Sequence, residues 1–127
     1  MKATDKEIVK GNELIAKFMG WCLVPYCPSG TVWDHDNNDK VLNTDEFKYH
    51  NSWDWLIPVV EKIENTPNKS YEYEFVKHGK RYVAIVDVST NIEIIVINIT
   101  TENSFMEATW LLVVEFIKFI TWYKGNN

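Results

Sequence analysis

Apolar positions recur at helical spacing through the first twenty residues. Ile8, Leu14, Ile15, Phe18 and Met19 fall on one stripe, with Gly11 among them. Ahead of them, Thr4-Asp-Lys-Glu7 has the form of a capping box, and Gly20 behind them supplies a stop. The pattern predicts a helix over 5–19. A second stripe, Trp53, Leu56, Ile57, Val60 and Ile63, predicts a helix that Asn51 or Ser52 can cap and Asn65-Thr-Pro67 ends. Pro58 falls inside it and removes one helix hydrogen bond, so a bend is expected there. Trp55 lies off this stripe, on the opposite side.

Between and after these helices the period changes to two. Residues 31–33 and 41–42 flank the polar run Asp34-His-Asp-Asn-Asn-Asp39, which suits a loose hairpin with Asn/Asp turn chemistry. Tyr71-Glu-Tyr-Glu-Phe75 alternates rings with carboxylates. Residues 82–88 and 92–99 follow as two more strands, with turns at 77–80 and 89–91. Connections this short predict an antiparallel meander. The third of these strands is apolar on both faces, which predicts cover on both sides.

The last helix is expected over 104–123. Its polar positions are few, among them Glu107, Glu115 and Lys118, so it should be buried on more than one side. One small sheet cannot do that; either another helix or a second subunit must. The fold class is therefore α+β: a small three-stranded antiparallel sheet, which the N-terminal hairpin could extend, packed with three helices in one domain over 1–127. The over-apolar last helix also predicts a homo-oligomer.

Composition narrows the function classes. The 127 residues include six Trp, six Tyr and six Phe, enough ring surface to hold a small core or to build a binding surface. A net charge of −5 disfavours general nucleic-acid binding, which needs clustered cations. Lys77, Lys80 and Arg81 do cluster, but at an expected hairpin tip. The longest apolar run, 110–114, is far too short to span a membrane. Residues 1–10 lack the apolar core of a signal peptide, so a cytoplasmic location is expected, and the glycosylation patterns at Asn68 and Asn98 read as chance matches.

Three constellations could carry chemistry. Asp34, Asp36, Asn38 and Asp45 sit at positions 1, 3, 5 and 12 of a calcium loop. Position 6 is Asp39 where glycine belongs, position 12 is Asp where Glu belongs, and no helices flank it. Cys22, Cys27, His35 and His50 are a loose zinc set with the wrong spacings. No nucleophile elbow, phosphate loop or dinucleotide fingerprint occurs, so neither catalytic residues nor a cofactor is expected. The densest segment is Tyr49-His-Asn-Ser-Trp-Asp-Trp55. Its Tyr49, His50, Ser52, Trp53, Asp54 and Trp55, together with Trp33, are the candidate ligand- or partner-binding residues. They gather at a helix N-terminus, which favours anions, and their rings could stack on a base or grip a protein. Capping by Asn51 or Ser52 and burial of Trp53 is the plainer account of the same residues.

Lys17-Phe-Met-Gly-Trp21, the stretch from Tyr49 through Ile57-Pro-Val-Val-Glu-Lys-Ile-Glu64, and Val113-Val-Glu-Phe-Ile-Lys118 with Trp122-Tyr123 together resemble a group of small phage and prophage accessory proteins. They are also remotely similar to the phage ABA (αβα) sandwich domain. The likeness covers the three helices; the segment from Cys22 to Asp45 is particular to this chain. The resemblance implies a non-enzymatic accessory protein in the host cytoplasm. Such a protein would antagonise host defence by sequestering a nucleotide signal or blocking a host protein. The alternatives are a small metal-dependent nucleotide-processing enzyme using His35 or His50 with Asp34, Asp36 and Asp45, or a structural or replication component acting by contact.

Overall fold

The computed structural model describes residues 3–24, 30, 32–35, 38–67, 69–75, 82–100 and 104–125, the side chains of 38–40, 75 and 122–125 excepted. The first helix, α1 (Asp5–Phe18), forms under the cap its sequence encodes. The Glu7 amide donates to Thr4 Oγ1 at 3.2 Å, and the Thr4 amide donates to Glu7 Oε1 at 3.1 Å. Gly20 turns the chain out of the helix at φ +99°, a conformation costly for any side chain.

Three short strands follow: β1 (Trp21–Leu23), β2 (Val32–His35) and β3 (Asn38–Asn43). They pair antiparallel in the order β1-β2-β3, with Leu23 opposite Trp33 and Trp33 opposite Leu42. The expected hairpin is thus present, but it does not extend the meander. It recruits 21–23 as a third strand and makes a separate sheet. Three residues with one buried side chain are too few to show a period, which is why β1 has no signature of its own. A 3₁₀ turn (Thr44–Glu46) leads on to α2 (Trp53–Glu64), which keeps Pro58 within it.

The second sheet is the meander β4 (Tyr71–Phe75), β5 (Tyr82–Asp87) and β6 (Ile92–Asn98), in that spatial order. The alternation in β4 holds: Tyr71 and Tyr73 pack on the core, and Glu72 is exposed. The strand covered on both faces is β5, not β6. Central position decides this. Val83 and Ile85 face the helices, while Ala84 is shielded between Glu74 and Val96 on the neighbouring strands. β6 is an edge strand, with Ile92 60 % and Val96 44 % exposed. The predicted turn at 77–80 lies outside the described residues.

The last helix, α3 (Phe105–Gly125), is capped by Ser104, whose Oγ accepts the Glu107 amide at 3.1 Å. It lies at the centre, against α1, α2, β5 and β6. Ala108, Leu112, Val113 and Phe116 are fully buried. Among its described side chains most of the apolar circumference is covered within the chain, with Leu111, Phe119 and Ile120 left half-buried. Two details fix its position. At Gly11 a Cβ would come within 2.7 Å of Trp110 Cη2, so α1 and α3 meet where a side chain is missing. Thr109 Oγ1 donates to the Phe105 carbonyl at 3.0 Å and accepts from the Tyr73 hydroxyl at 2.8 Å. One core cluster runs from Trp21, Trp33 and Phe47 to Val83, Ile85 and Phe116, so both sheets share it. No helix among the described residues is long and apolar enough to cross a membrane.

Candidate functional site

The segment 49–55 is divided by the fold between two sides of the molecule. Tyr49 and Trp55 meet edge to face at 5.2 Å and lie against Phe47, at 5.9 and 6.3 Å. Phe47 in turn meets Trp21 at 5.4 Å and Trp33 at 5.7 Å, and Trp21 meets the His35 ring at 5.3 Å. Edge-to-face pairs like these are worth about 0.5–1.5 kcal/mol each beyond their buried area. They make one continuous aromatic body that attaches the first sheet to α2.

The outer end of this body is a cleft of about 370 Å³, lined by Trp21, His35, Tyr49, Asp54, Trp55 and Pro58, with Met19 at its rim. Each wall has a local cause. Gly20 lets the chain double back, so that Trp21 and His35 close one side. His35 Nε2–H donates to the Met19 carbonyl at 2.8 Å, which fixes that ring against the end of α1. α2 supplies the other side through Asp54, Trp55 and Pro58 from its first turns. The Tyr49 hydroxyl is buried, and desolvation pushes its pKa up to about 12; a hydrogen bond with the Trp21 side chain offsets part of this. Asp54 is exposed, and no Lys or Arg is among the described residues that line the cleft.

His50 faces elsewhere. Its Nδ1 accepts from Asn12 Nδ2 at 2.9 Å, so its proton sits on Nε2. Asn12 also donates to the Phe47 carbonyl at 3.2 Å, and its Oδ1 accepts the Trp110 indole N–H at 2.9 Å. Asn12 is 2 % exposed, yet every polar atom on its side chain is matched. Burial pushes the His50 pKa down. Trp53 packs on Phe105 of α3 at 5.3 Å. Ser52 is the N-cap of α2 by backbone, without a side-chain bond to the helix. Trp33 is 1 % exposed, with its indole N–H donating to Thr44 Oγ1 at 2.9 Å. It lies beneath the cleft as core.

The sequence candidates therefore contribute Tyr49, Asp54 and Trp55 to the cleft. Met19, Trp21 and Pro58 were not among them, and His35 stood only in the zinc set and the metal-dependent alternative. A signal for Met19 and Trp21 did exist: both lie in the 17–21 stretch, and Pro58 lies in the 49–64 stretch. The fold brings those two distinctive stretches together.

The calcium register does not survive as a loop. Asp34 is in mid-strand opposite Cys22, the Asn38 backbone pairs with His35, and Asp45 belongs to the 3₁₀ turn. Asp36, the Asn38 side chain and Cys27 lie outside the described residues. Among the described residues no group of three His, Cys, Asp or Glu side chains could hold a metal. Compared with family models, curated proteins and solved structures, the chain matches none.

Two larger hollows lie at the far end of α3. One, of about 640 Å³, is lined by Tyr71, Ile92, Ile94, Phe116 and Ile120, with Lys69 and Asp87 at its rim. The other, of about 690 Å³, lies between α1, α2 and α3 and includes Leu14, Phe18 and Ile117. Lys69 and Asp87 carry opposite charges, so the first favours neither anion nor cation. The second is lined by Lys17 and Lys62, with Phe18 as its one aromatic ring among the described lining residues. The aromatic cleft differs in carrying a carboxylate as the one charge among its described lining residues, beside the rings of Trp21, His35, Tyr49 and Trp55.

Proposed function

We propose that this chain is a non-enzymatic binding protein, encoded by a phage and acting in the host cytoplasm, that blocks a host protein by docking it at the aromatic cleft. The observation that carries the reading is the convergence of Trp21, Tyr49, Trp55 and Asp54 on one open hollow. Aromatic anchors beside a polar group are the side chains that dominate protein recognition. Phage origin rests on the resemblance of the 17–21 and 49–64 stretches. Nucleotide sequestration is the weaker arm. A phosphate at the α2 N-terminus would meet the Asp54 carboxylate, with no cation among the described lining residues to offset it. The metal-dependent alternative has less support still, because among the described residues no three His, Cys, Asp or Glu side chains gather where they could hold a metal.

The experiment compares the chain with its Trp55→Ala variant, each isolated from infected cells with its bound proteins and small molecules. A host protein retained by the first and lost by the second supports the reading. Identical co-purifying partners with both would remove the cleft from it.

A homo-oligomer is proposed on a second ground beside the apolar last helix. β6 is a seven-residue apolar edge strand without Lys or Pro, and such edges pair readily. Light scattering should give a dimer that Val96→Lys converts to a monomer. A monomeric parent chain at micromolar concentration contradicts it.

A further inference from the structure

Building on the cleft as a docking site, we infer that it receives a guanidinium group, the side chain of an arginine presented by the partner protein. Four features of the cleft select that chemistry. Its walls are the rings of Trp21, His35, Tyr49 and Trp55, and aromatic faces attract cations, guanidinium above all because it is planar and can stack. Its one charged residue among the described lining is Asp54, exposed and in the first turn of α2, where a full carboxylate charge outweighs the partial positive charge of the helix end. A carboxylate there can accept two parallel N–H bonds from a guanidinium.

The third feature is Pro58. It has no amide hydrogen, so it cannot donate to the Asp54 carbonyl four residues back. The Asp54 carbonyl is thereby left without that helical donor. A guanidinium carries five N–H donors and no acceptor, which matches a wall of rings and oxygens. The fourth is size and charge. About 370 Å³, widely open, accommodates one side chain rather than a whole folded element. The chain's net charge of −5 draws a basic partner toward it.

The probe is Nα-acetyl-arginine methylamide, titrated while the indole fluorescence and the tryptophan N–H resonances are followed. Its neutral isostere with citrulline, and AMP, are titrated alongside. Saturable, weak binding of the arginine probe is expected, with neither of the other two binding. Asp54→Asn, an exposed change that leaves the core intact, should weaken it about five- to tenfold. Trp55→Phe should weaken it less than Trp55→Ala. Equal binding of the citrulline probe, an unchanged affinity in Asp54→Asn, or preferential binding of AMP at the same resonances overturns the guanidinium assignment. Each of those results still leaves the cleft as a binding site. A cleft whose Trp21 and Trp55 signals respond to none of the three probes overturns the assignment and the docking reading together.

Discussion

The two sheets share a topology, three antiparallel strands in sequence order, yet they are held by different means. The second sheet has strands of five to seven residues and lies against the long α3. Its central strand is buried from Val83 to Val86, and its stability is that of helices layered on an antiparallel sheet. The first sheet has strands of three to six residues and a register shift between Trp33 and His35. It is fastened by the ring contacts around Phe47, by Trp33 to Thr44, and by Asn12. The less regular sheet is the one that carries the cleft. A site built on short strands needs stiff anchors, and large rings supply them at small entropic cost.

Asn12 is where the two halves meet, since it joins α1 to Trp110 on one side and to Phe47 and His50 on the other. Asn12→Leu keeps the volume and leaves a buried N–H and a buried carbonyl unpaired. Thermal or denaturant unfolding should show a loss of about 3 kcal/mol. Adding Trp110→Phe to it removes the orphaned donor and should restore part of that loss; full additivity would argue against a shared network.

Gly11→Ala tests the contact between α1 and α3 itself. The new methyl meets the Trp110 ring and sits 3.1 Å from Val114 Cγ2. Overpacking should cost about 2 kcal/mol net of the helix propensity gained. Gly20→Ala tests the first sheet alone. Positive φ and a Cβ 2.9 Å from His35 Nε2 predict about 1–2 kcal/mol of destabilisation. The His35 and Trp21 resonances should shift while those of β5 stay in place. Equal shifts in both sheets would deny their separation.

Two titrations give the smallest effects. The Tyr49 phenol has its folded pKa raised from 10.0 to about 12. The folded state therefore favours the protonated form. Stability from this group is complete below pH 10 and declines as pH rises toward 12, and the Tyr49 phenol should ionise late in an ultraviolet titration. The folded pKa of His50 is depressed below 6.5, so its contribution is complete above that value and falls as the solution is acidified. Protonated Nδ1 would face the Asn12 amide donor. Asn12→Ala should therefore flatten the acid limb of the stability profile.

Much of the second half was legible in the chain. The Tyr71-Glu-Tyr-Glu-Phe75 alternation, the capped first helix and the last helix each announce themselves by period. The exposed edge at β6 was not legible, because apolarity on both faces does not reveal whether a strand is central or terminal. β1 was hidden by its brevity, and β3 begins inside a polar run whose pairing is a matter of backbone. The cleft was half legible. Tyr49, Asp54 and Trp55 stood together in sequence, but Trp21 and His35 reach them only through the turn at Gly20 and the pairing of Trp21 with His35. His50 and Trp53, in the same stretch, point away: His50 bonds Asn12 of α1 and Trp53 packs on Phe105 of α3.

The most direct test of the central claim uses the tryptophans as internal reporters. Trp33 and Trp110 have their indole N–H groups buried and bonded to Thr44 and Asn12, whereas Trp21 and Trp55 line the cleft. An arginine-bearing peptide should move the Trp21 and Trp55 indole resonances together, leave those of Trp33 and Trp110 in place, and lose its effect in Trp55→Ala. Movement of Trp110 with Trp21 and Trp55 unmoved would place binding on the other side of the molecule and contradict the account.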